Sequence, residues 1–394
     1  MSADGQQSPP RHFGTGWISG TLSVTLGAVG LGTVFCFHFP SYLTLPEYRA
    51  LYPLPLVRAV LHLVLVGGFL LGFTSVMLRH NKTLGLVGMG LVLIAALLGG
   101  SRVQINGELR DDYYMGLDYF LLNIIVFSLI FVPLEKLFGR LNHGVFRKGW
   151  RTDLIYFFVG SLLIQVITLL TLKPAFVLFG WAANPSVQAQ VRSQPLWAQF
   201  LEFMVLADVM EYWVHRMFHV VPWLWRFHAV HHSAEVMDWL AASRLHVVDL
   251  AVTRAAMYVP AFILGFSDMA FYAYIGFVSI HATFIHSNVR FSFGPLRWVL
   301  ATPQFHHWHH GCEAEAIDKN FAVHLPFLDW FFGTLHLPGL RWPKVYGVHN
   351  NDVPAAFWAQ WLYPFLPAKK QASPPLSPVA IAPAPGSGEC QTPA

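Results

Sequence analysis

Charge is scarce in this sequence. Asp, Glu, Lys and Arg together make up 12% of 394 residues, while 55% are hydrophobic; a soluble domain usually carries roughly 25% charged residues. An ordinary soluble globule is thereby excluded. Cysteine is also rare: Cys36, Cys312 and Cys390 are widely spaced and form no CxxC. They announce neither a disulfide framework nor a zinc ribbon or iron–sulfur site. The zincin pattern HExxH is missing, because Arg216 follows His215 where the general-base glutamate belongs. No basic patch interleaved with aromatics points to nucleic acid. The chain carries no haem-binding or flavin motif, and no internal repeat of useful length.

What is present in quantity is long apolar runs. Residues 17–37, 57–78, 83–100, 117–134 and 154–172 are each long enough, or nearly so, to cross a ~30 Å hydrocarbon core as helices. A further run, 196–213, is apolar but ends with Asp208 and Glu211. Residues 250–287 fit a tight helical hairpin turning near Gly265, Ser267 and Asp268. The first run follows a polar leader, is long for a signal peptide and has no clear small-residue cleavage site, so a retained span is expected.

Positive charge alternates between the connections. Arg79 and Lys82 follow the second run, and Lys136, Arg140, Arg147, Lys148 and Arg151 follow the fourth. The segment 101–116 balances Arg102 and Arg110 with Glu108, Asp111 and Asp112, and 173–195 holds only Lys173 and Arg192. The positive-inside rule then places 79–82, 136–153 and everything after Tyr212 on the cytoplasmic side. Three sections emerge: a four-span extension over 1–145, a histidine-rich section over 146–345, and 346–394. The last opens with an aromatic stretch suited to the membrane interface (Phe357, Trp358, Trp361, Leu362). It ends in a Pro/Ala/Ser-rich tail expected to be disordered.

The histidines carry the chemistry. Of twenty, His215 and His219 have HxxxH spacing, which on a helix puts both imidazoles on one face. His228, His231 and His232 form HxxHH. His306, His309 and His310 form a second HxxHH, with His307 interposed, and His246, His281 and His286 lie close by in sequence. Neutral imidazole is the commonest nitrogen ligand for iron, copper and zinc. A structural zinc takes four ligands and a catalytic zinc three, so eight or more nitrogens suit two metals with open positions. Two irons able to activate dioxygen fit best, with copper or two zincs as minor possibilities. Asp208, Glu211 and Tyr212 share or border the His215 face. A carboxylate there could accept the outer N–H of a ligating imidazole, as such partners do at metal sites, or could simply end the span.

At this point the residues resemble a known family. ADVMEYWVHRMFHVVPWLWRFHAVHHS (207–233) is similar to the signature of the fatty acid hydroxylase/sterol desaturase superfamily. The likeness extends to RKGWRTDLIYFF (147–158), MDWLAASRLHVVD (237–249), FIHSNVR (284–290), TPQFHHWHHG (302–311) and DKNFAVHLPFLDWFFGT (318–334). It covers about half of the chain. The resemblance implies an all-α, polytopic membrane helical bundle with a cytoplasmic, histidine-rich di-metal catalytic cap. His215, His219, His228, His231, His232, His306, His309 and His310 match its eight-histidine motif. His286 matches a histidine that some members add as a ligand, and His246 one of uncertain role. His307 stands where arginine is common, and Leu328 and Trp330 replace the usual aromatic and basic residues beside Asp329. The front spans are outside the family pattern.

The implied activity is hydroxylation or desaturation of an unactivated C–H position in a sterol-type or fatty-acyl lipid, with two Fe ions and O2 as co-substrate. Electrons would come from a separate donor of ferredoxin, cytochrome b5 or reductase type. A zinc-dependent membrane lipid hydrolase is the alternative, opposed by the surplus of histidines and the missing acid/base glutamate. A metal transporter ranks last, since it would place its ligands inside the spans.

Overall fold

A computed structural model describes residues 14–49, 51–105, 114–348 and 352–367. The leader before residue 14 and the Pro/Ala/Ser-rich tail beyond 367 lie outside the described residues. Those described form helices and loops with no strand; two isolated bridges pair Gly139 with Val289 and Gly311 with Tyr346. The chain divides into two compact units, one comprising residues 1–125 and 161–165, the other 126–160 and 166–394.

The first unit contains α1 (Trp17–His38), α2 (Leu54–Leu78) and α3 (Thr83–Leu97). Their inward faces are built from small residues. Gly20, Ser23, Gly27 and Gly30 line one side of α1, Gly68, Gly72 and Ser75 one side of α2, and Gly85 and Gly88 one side of α3. Lipid tails are as apolar as leucine, so helices in a bilayer gain from close backbone approach and interhelical hydrogen bonds rather than from hydrophobic segregation. Both are present. Ser23 Oγ donates to the Gly68 carbonyl at 2.7 Å and Ser75 Oγ to the Gly16 carbonyl at 2.8 Å. A Cβ on Gly85 would stand 2.6 Å from the Gly72 carbonyl oxygen. Leucine, valine and phenylalanine face outward instead, as Leu63 and Leu70 do.

Among the described residues, six helices are long and apolar enough to cross a membrane: α1, α2, the helical stretch Thr83–Arg102 that begins with α3, α4 (Leu117–Phe138), and the two arms of the hairpin described below. The protein is a multi-pass integral membrane protein. The run at 154–172 departs from expectation, because it is not one helix. It is divided into α5 (Trp150–Leu162) and α6 (Ile164–Phe179), interrupted at Leu163 after Gly160 and Ser161, residues of low helix propensity.

The second unit is organised around the hairpin. After α7 (Pro185–Ser193) and α8 (Leu196–Val220) come α9 (Pro222–His232), α10 (Val247–Leu264) and α11 (Asp268–His286). The turn falls where expected. Gly265 adopts the left-handed conformation (φ 69°) that glycine tolerates, and Ser267 caps α11 by accepting from the Ala270 N–H. Gln188 and Arg192 of α7 donate to the carbonyls of Phe262, Ile263 and Gly265, which fixes α7 at the hairpin tip. From there α8 packs along both arms. Its 25 residues span ~37 Å, so its far end delivers His215 and His219 to the opposite end of the hairpin. The run 196–213 is thus part of a longer helix, one with too many acidic residues to read as an ordinary span. The interfacial stretch forms α14 (Phe357–Leu362), below α12 (Pro303–His309) and α13 (Pro326–Phe331) in chain order. Phe357 is buried against Tyr156 while Trp358 is exposed.

The small-residue packing of the first unit makes a paired test. Gly88 is walled by the Ser23 side chain and backbone, whereas nothing lies within 4 Å of a Cβ on Gly90. Gly88→Leu is expected to destabilise the detergent-purified protein by about 1–3 kcal/mol. Gly90→Leu on the same helix should stay within ~0.5 kcal/mol of wild type in thermal unfolding.

Candidate metal centre

The eight motif histidines and His286 come together in two groups. His215, His219, His228, His232 and His309 offer ring nitrogens all within 4.8 Å of one another; so do His231, His286, His306 and His310. Helix geometry explains the sorting. On α8, His215 and His219 are one turn apart and both enter the first group. On α9, His228 and His232 are likewise four apart and join them, whereas His231 is turned toward α11 and α12. On α12 the chain repeats the device, with His309 in the first group and His306 and His310, again four apart, in the second.

Five of the nine imidazoles are aimed by their other nitrogen. His215 Nδ1 donates to the Phe321 carbonyl at 2.7 Å, His309 Nδ1 to the Lys319 carbonyl at 2.9 Å, His231 Nδ1 to the Arg244 carbonyl at 3.1 Å and His286 Nδ1 to the Ala282 carbonyl at 2.6 Å. His228 Nδ1 meets the Asp249 carboxylate at 2.7 Å. A carbonyl can only accept, so the proton sits on Nδ1 and the Nε2 lone pair points inward. The His231 and His286 Nε2 atoms then face one another at 3.1 Å with no proton between them. Two lone pairs in contact repel, and a cation accepting both removes the conflict. The buried Nε2 of His219 and the buried Nδ1 atoms of His306 and His310 find no hydrogen-bond partner. Burial first, then neighbouring imidazoles, hold the pKa values of His231, His232, His306, His309 and His310 well below the usual histidine range. They are neutral, which is the form that binds metal. By donor chemistry, tautomer and burial, the residues present fit two metal ions.

The carboxylates act one layer further out than the sequence suggested. Asp208 meets no imidazole among the described residues. Its carboxylate, fully buried, accepts from the backbone N–H groups of Val323, His324 and Leu325 at 2.7–3.0 Å. Asp329 accepts from those of Phe321 and Ala322 at 2.8 and 2.9 Å. Five consecutive donors on an extended segment without a strand partner are satisfied by two side chains, as buried N–H groups require. That segment supplies the Phe321 carbonyl to His215. Tyr212 hydrogen-bonds Thr334 at 2.9 Å, and Glu211 lines a cavity described below.

His246 and His307 lie outside both groups. His246 caps α10, accepting from the Val248 N–H, and meets the Trp361 carbonyl at 3.2 Å. His307 faces the Tyr346 hydroxyl at 2.9 Å and the His286 carbonyl at 3.2 Å. The residue the sequence reading missed is Asp249; only its place three residues after His246, near the start of an apolar helix, hinted at it. Arg244, which lends its carbonyl to His231, is held in a buried, charge-balanced chain with Asp153, Arg147 and Asp238.

A cavity of about 200 Å³ opens beside the two histidine groups, between α8, α10 and α11. Its walls include His215, His228, His231, His286 and His306, with apolar side chains such as Leu250 and Met257.

Comparison with known proteins agrees with this geometry. Residues 200–334 match the family model described as fatty acid hydroxylase. Ornithine lipid hydroxylase OlsE of Rhizobium tropici is 31% identical over 172 residues, 43% of this chain and 51% of that protein. Human alkylglycerol monooxygenase is 33% identical over 177 residues, 41% of this chain and 39% of that protein. Methylsterol monooxygenase 1-1 of Arabidopsis thaliana is 22% identical over 241 residues, 57% of this chain and 79% of that protein. The chain thus spans about half or less of the first two relatives' length. No solved structure matches. Residues 200–334, about a third of the chain, are thus similar to the fatty acid hydroxylase family, and the matched relatives all lie in the fatty acid hydroxylase/sterol desaturase superfamily.

Asp249 gives a test of how the imidazoles are aimed. Asp249→Asn removes the charge behind His228 while keeping the volume, and outer partners of this kind are worth about 10–100-fold in metal affinity. Metal retention by the purified protein against a chelator should fall by that order, with little change in thermal unfolding. An unchanged retention would mean that His228 is aimed by something else.

Proposed function

We propose that this protein is a membrane-bound, O2-dependent lipid oxidase whose two histidine groups hold two iron ions. It would hydroxylate or desaturate an unactivated C–H position of a sterol-type or fatty-acyl lipid. The observation that carries the reading is the facing Nε2 lone pairs of His231 and His286 within one of two neighbouring imidazole groups. His215, His219, His228, His232 and His309 would hold one ion, and His231, His286, His306 and His310 the other. Bound iron would supply the dioxygen reduction and the oxidising power to take hydrogen from carbon, chemistry that no side chain offers.

The protein's own part is position, dryness and access. Nδ1 hydrogen bonds keep every aimed imidazole neutral and oriented. The cavity beside His215 and His231 admits substrate between α10 and α11, which line it with apolar side chains such as Leu250, Met257 and Val278 as well as polar ones. The relatives' names support a lipid as substrate, and none of those named is a hydrolase. The four-span section 1–145 is proposed as an extension outside the catalytic part. Electrons are proposed to arrive from a separate donor of ferredoxin, cytochrome b5 or reductase type.

Two outcomes are expected. Purified protein should contain two irons per chain by elemental analysis, against one zinc for a hydrolase. His231→Ala and His309→Ala, one from each group, should each abolish oxidation of lipid in membranes while leaving protein levels near normal. Wild-type turnover in either variant would remove that histidine from the ligand set.

The catalytic end is proposed to face the cytoplasm, on the side of the basic segment 136–153, where soluble electron donors can reach it. Lys148 is exposed in that segment and Ser186 is exposed on α7 at the hairpin tip. With the three native cysteines replaced, Ser186→Cys should label in intact cells with an impermeant thiol reagent. Lys148→Cys should label only in inverted vesicles, and the reverse pattern would overturn the orientation.

A further inference from the structure

The cavity beside the histidines contains two ionisable side chains that the proposed oxidation does not use. Arg254 and Glu211 both line it, in company with Thr253 and Ser279. Arg254 lies on α10, seven positions past Val247, about 10 Å along a helix apolar enough to span the membrane. Ionisable groups at such depth are rare and face partners or pathways. Yet no carboxylate among the described residues pairs with Arg254, and Glu211 Oε2 is buried with no hydrogen-bond partner. The two are not paired with each other. Asp249, the acidic neighbour on the same helix, is already engaged by His228 and Thr253. The Arg254 guanidinium, without a carboxylate partner, and the Glu211 carboxyl, with an oxygen that meets no hydrogen bond, share a cavity whose other polar groups are the histidines, Asp249, Thr253 and Ser279, and each is missing a polar partner.

Size points the same way. Pockets that enclose a whole drug-sized ligand measure roughly 300–1,000 Å³. At about 200 Å³ this one takes only one end of a lipid. A hydrocarbon end would leave the Arg254 guanidinium and the Glu211 carboxyl without polar partners.

Resting on the reading of this cavity as the substrate site, we propose that it receives the polar end of an amphiphile whose headgroup is zwitterionic. Arg254 binds its carboxylate or phosphate, and Glu211 binds an ammonium or other strong donor. The guanidinium fork suits either anion in bidentate fashion. A consequence follows for position of attack. The C–H bonds presented to the histidine groups are those near the headgroup, and the alkyl tail leaves between α10 and α11 toward the lipid phase.

Binding can be measured without dioxygen or reductant, on the full chain in detergent, by competition against radiolabelled Nα-dodecanoyl-lysine. Wild type should prefer this probe over its methyl ester by about tenfold or more, the scale of one charge-assisted hydrogen bond. Arg254→Met should reduce that preference to less than about twofold. Its affinity for the methyl ester should be unchanged, which also reports an intact cavity. Glu211→Gln should instead lose the preference for Nα-dodecanoyl-lysine over Nα-dodecanoyl-norleucine, which lacks the ammonium. Dodecyl phosphate against dodecanol distinguishes a phosphate from a carboxylate as the anion. A wild-type protein without anion preference, or an Arg254→Met protein that keeps it, overturns the proposal. Anion preference with no lipid oxidation would instead overturn the oxidase reading alone, and oxidation of a neutral lipid without anion preference would overturn this inference alone.

Discussion

The imidazole tautomer is the constraint on which the second unit depends. A metal-binding histidine must present a bare nitrogen, and which nitrogen is bare depends on where the other one finds an acceptor. In this protein the acceptors are mostly backbone carbonyls, of Ala282, Arg244, Lys319 and Phe321. Four separate parts of the chain must therefore be fixed before the site exists. The buried machinery around it serves that end. Asp208 and Asp329 hold the segment that offers the Phe321 carbonyl, and the alternating chain of Arg147, Asp153, Arg244 and Asp238 anchors the loop that offers that of Arg244.

Buried ion networks stabilise little in net terms, because desolvation offsets most of the Coulombic gain. Here their use is positional. Loops at the end of a helical hairpin lack a sheet to satisfy their N–H groups, and carboxylates with several lone pairs can gather them in one place. The cost of burying such charge is accepted where a backbone carbonyl must stay put to within tenths of an ångström.

The first unit follows a different physics. It carries few ionisable groups, and its helices meet through glycine and serine faces at close approach. In the second unit, α8 carries Glu202, Asp208 and Glu211. Asp208 holds the loop segment 323–325 and Glu211 lines the cavity.

How much was legible depended on the range of the interaction. Apolar runs, the Gly265 turn and the one-face spacing of His215 with His219 are local, set by hydrocarbon thickness and by the 3.6-residue period, and the sequence alone determined them. The eight-histidine pattern with His286, read against the resemblance, likewise identified the residues that the structure gathers. Four matters were decided only in three dimensions. His231 parts from its neighbours His228 and His232, because a helix turns adjacent residues by ~100° and the partner elements on the two sides differ. His307 turns away to Tyr346 for the same reason. Asp208 serves the 323–325 backbone rather than an imidazole, since a contact across 115 positions leaves no periodic trace. Asp249 and Arg254 sit on one helix and line one cavity, yet Asp249 is engaged by His228 while Arg254 meets no carboxylate among the described residues, and only the packing of α10 against its neighbours decides which of them finds a partner.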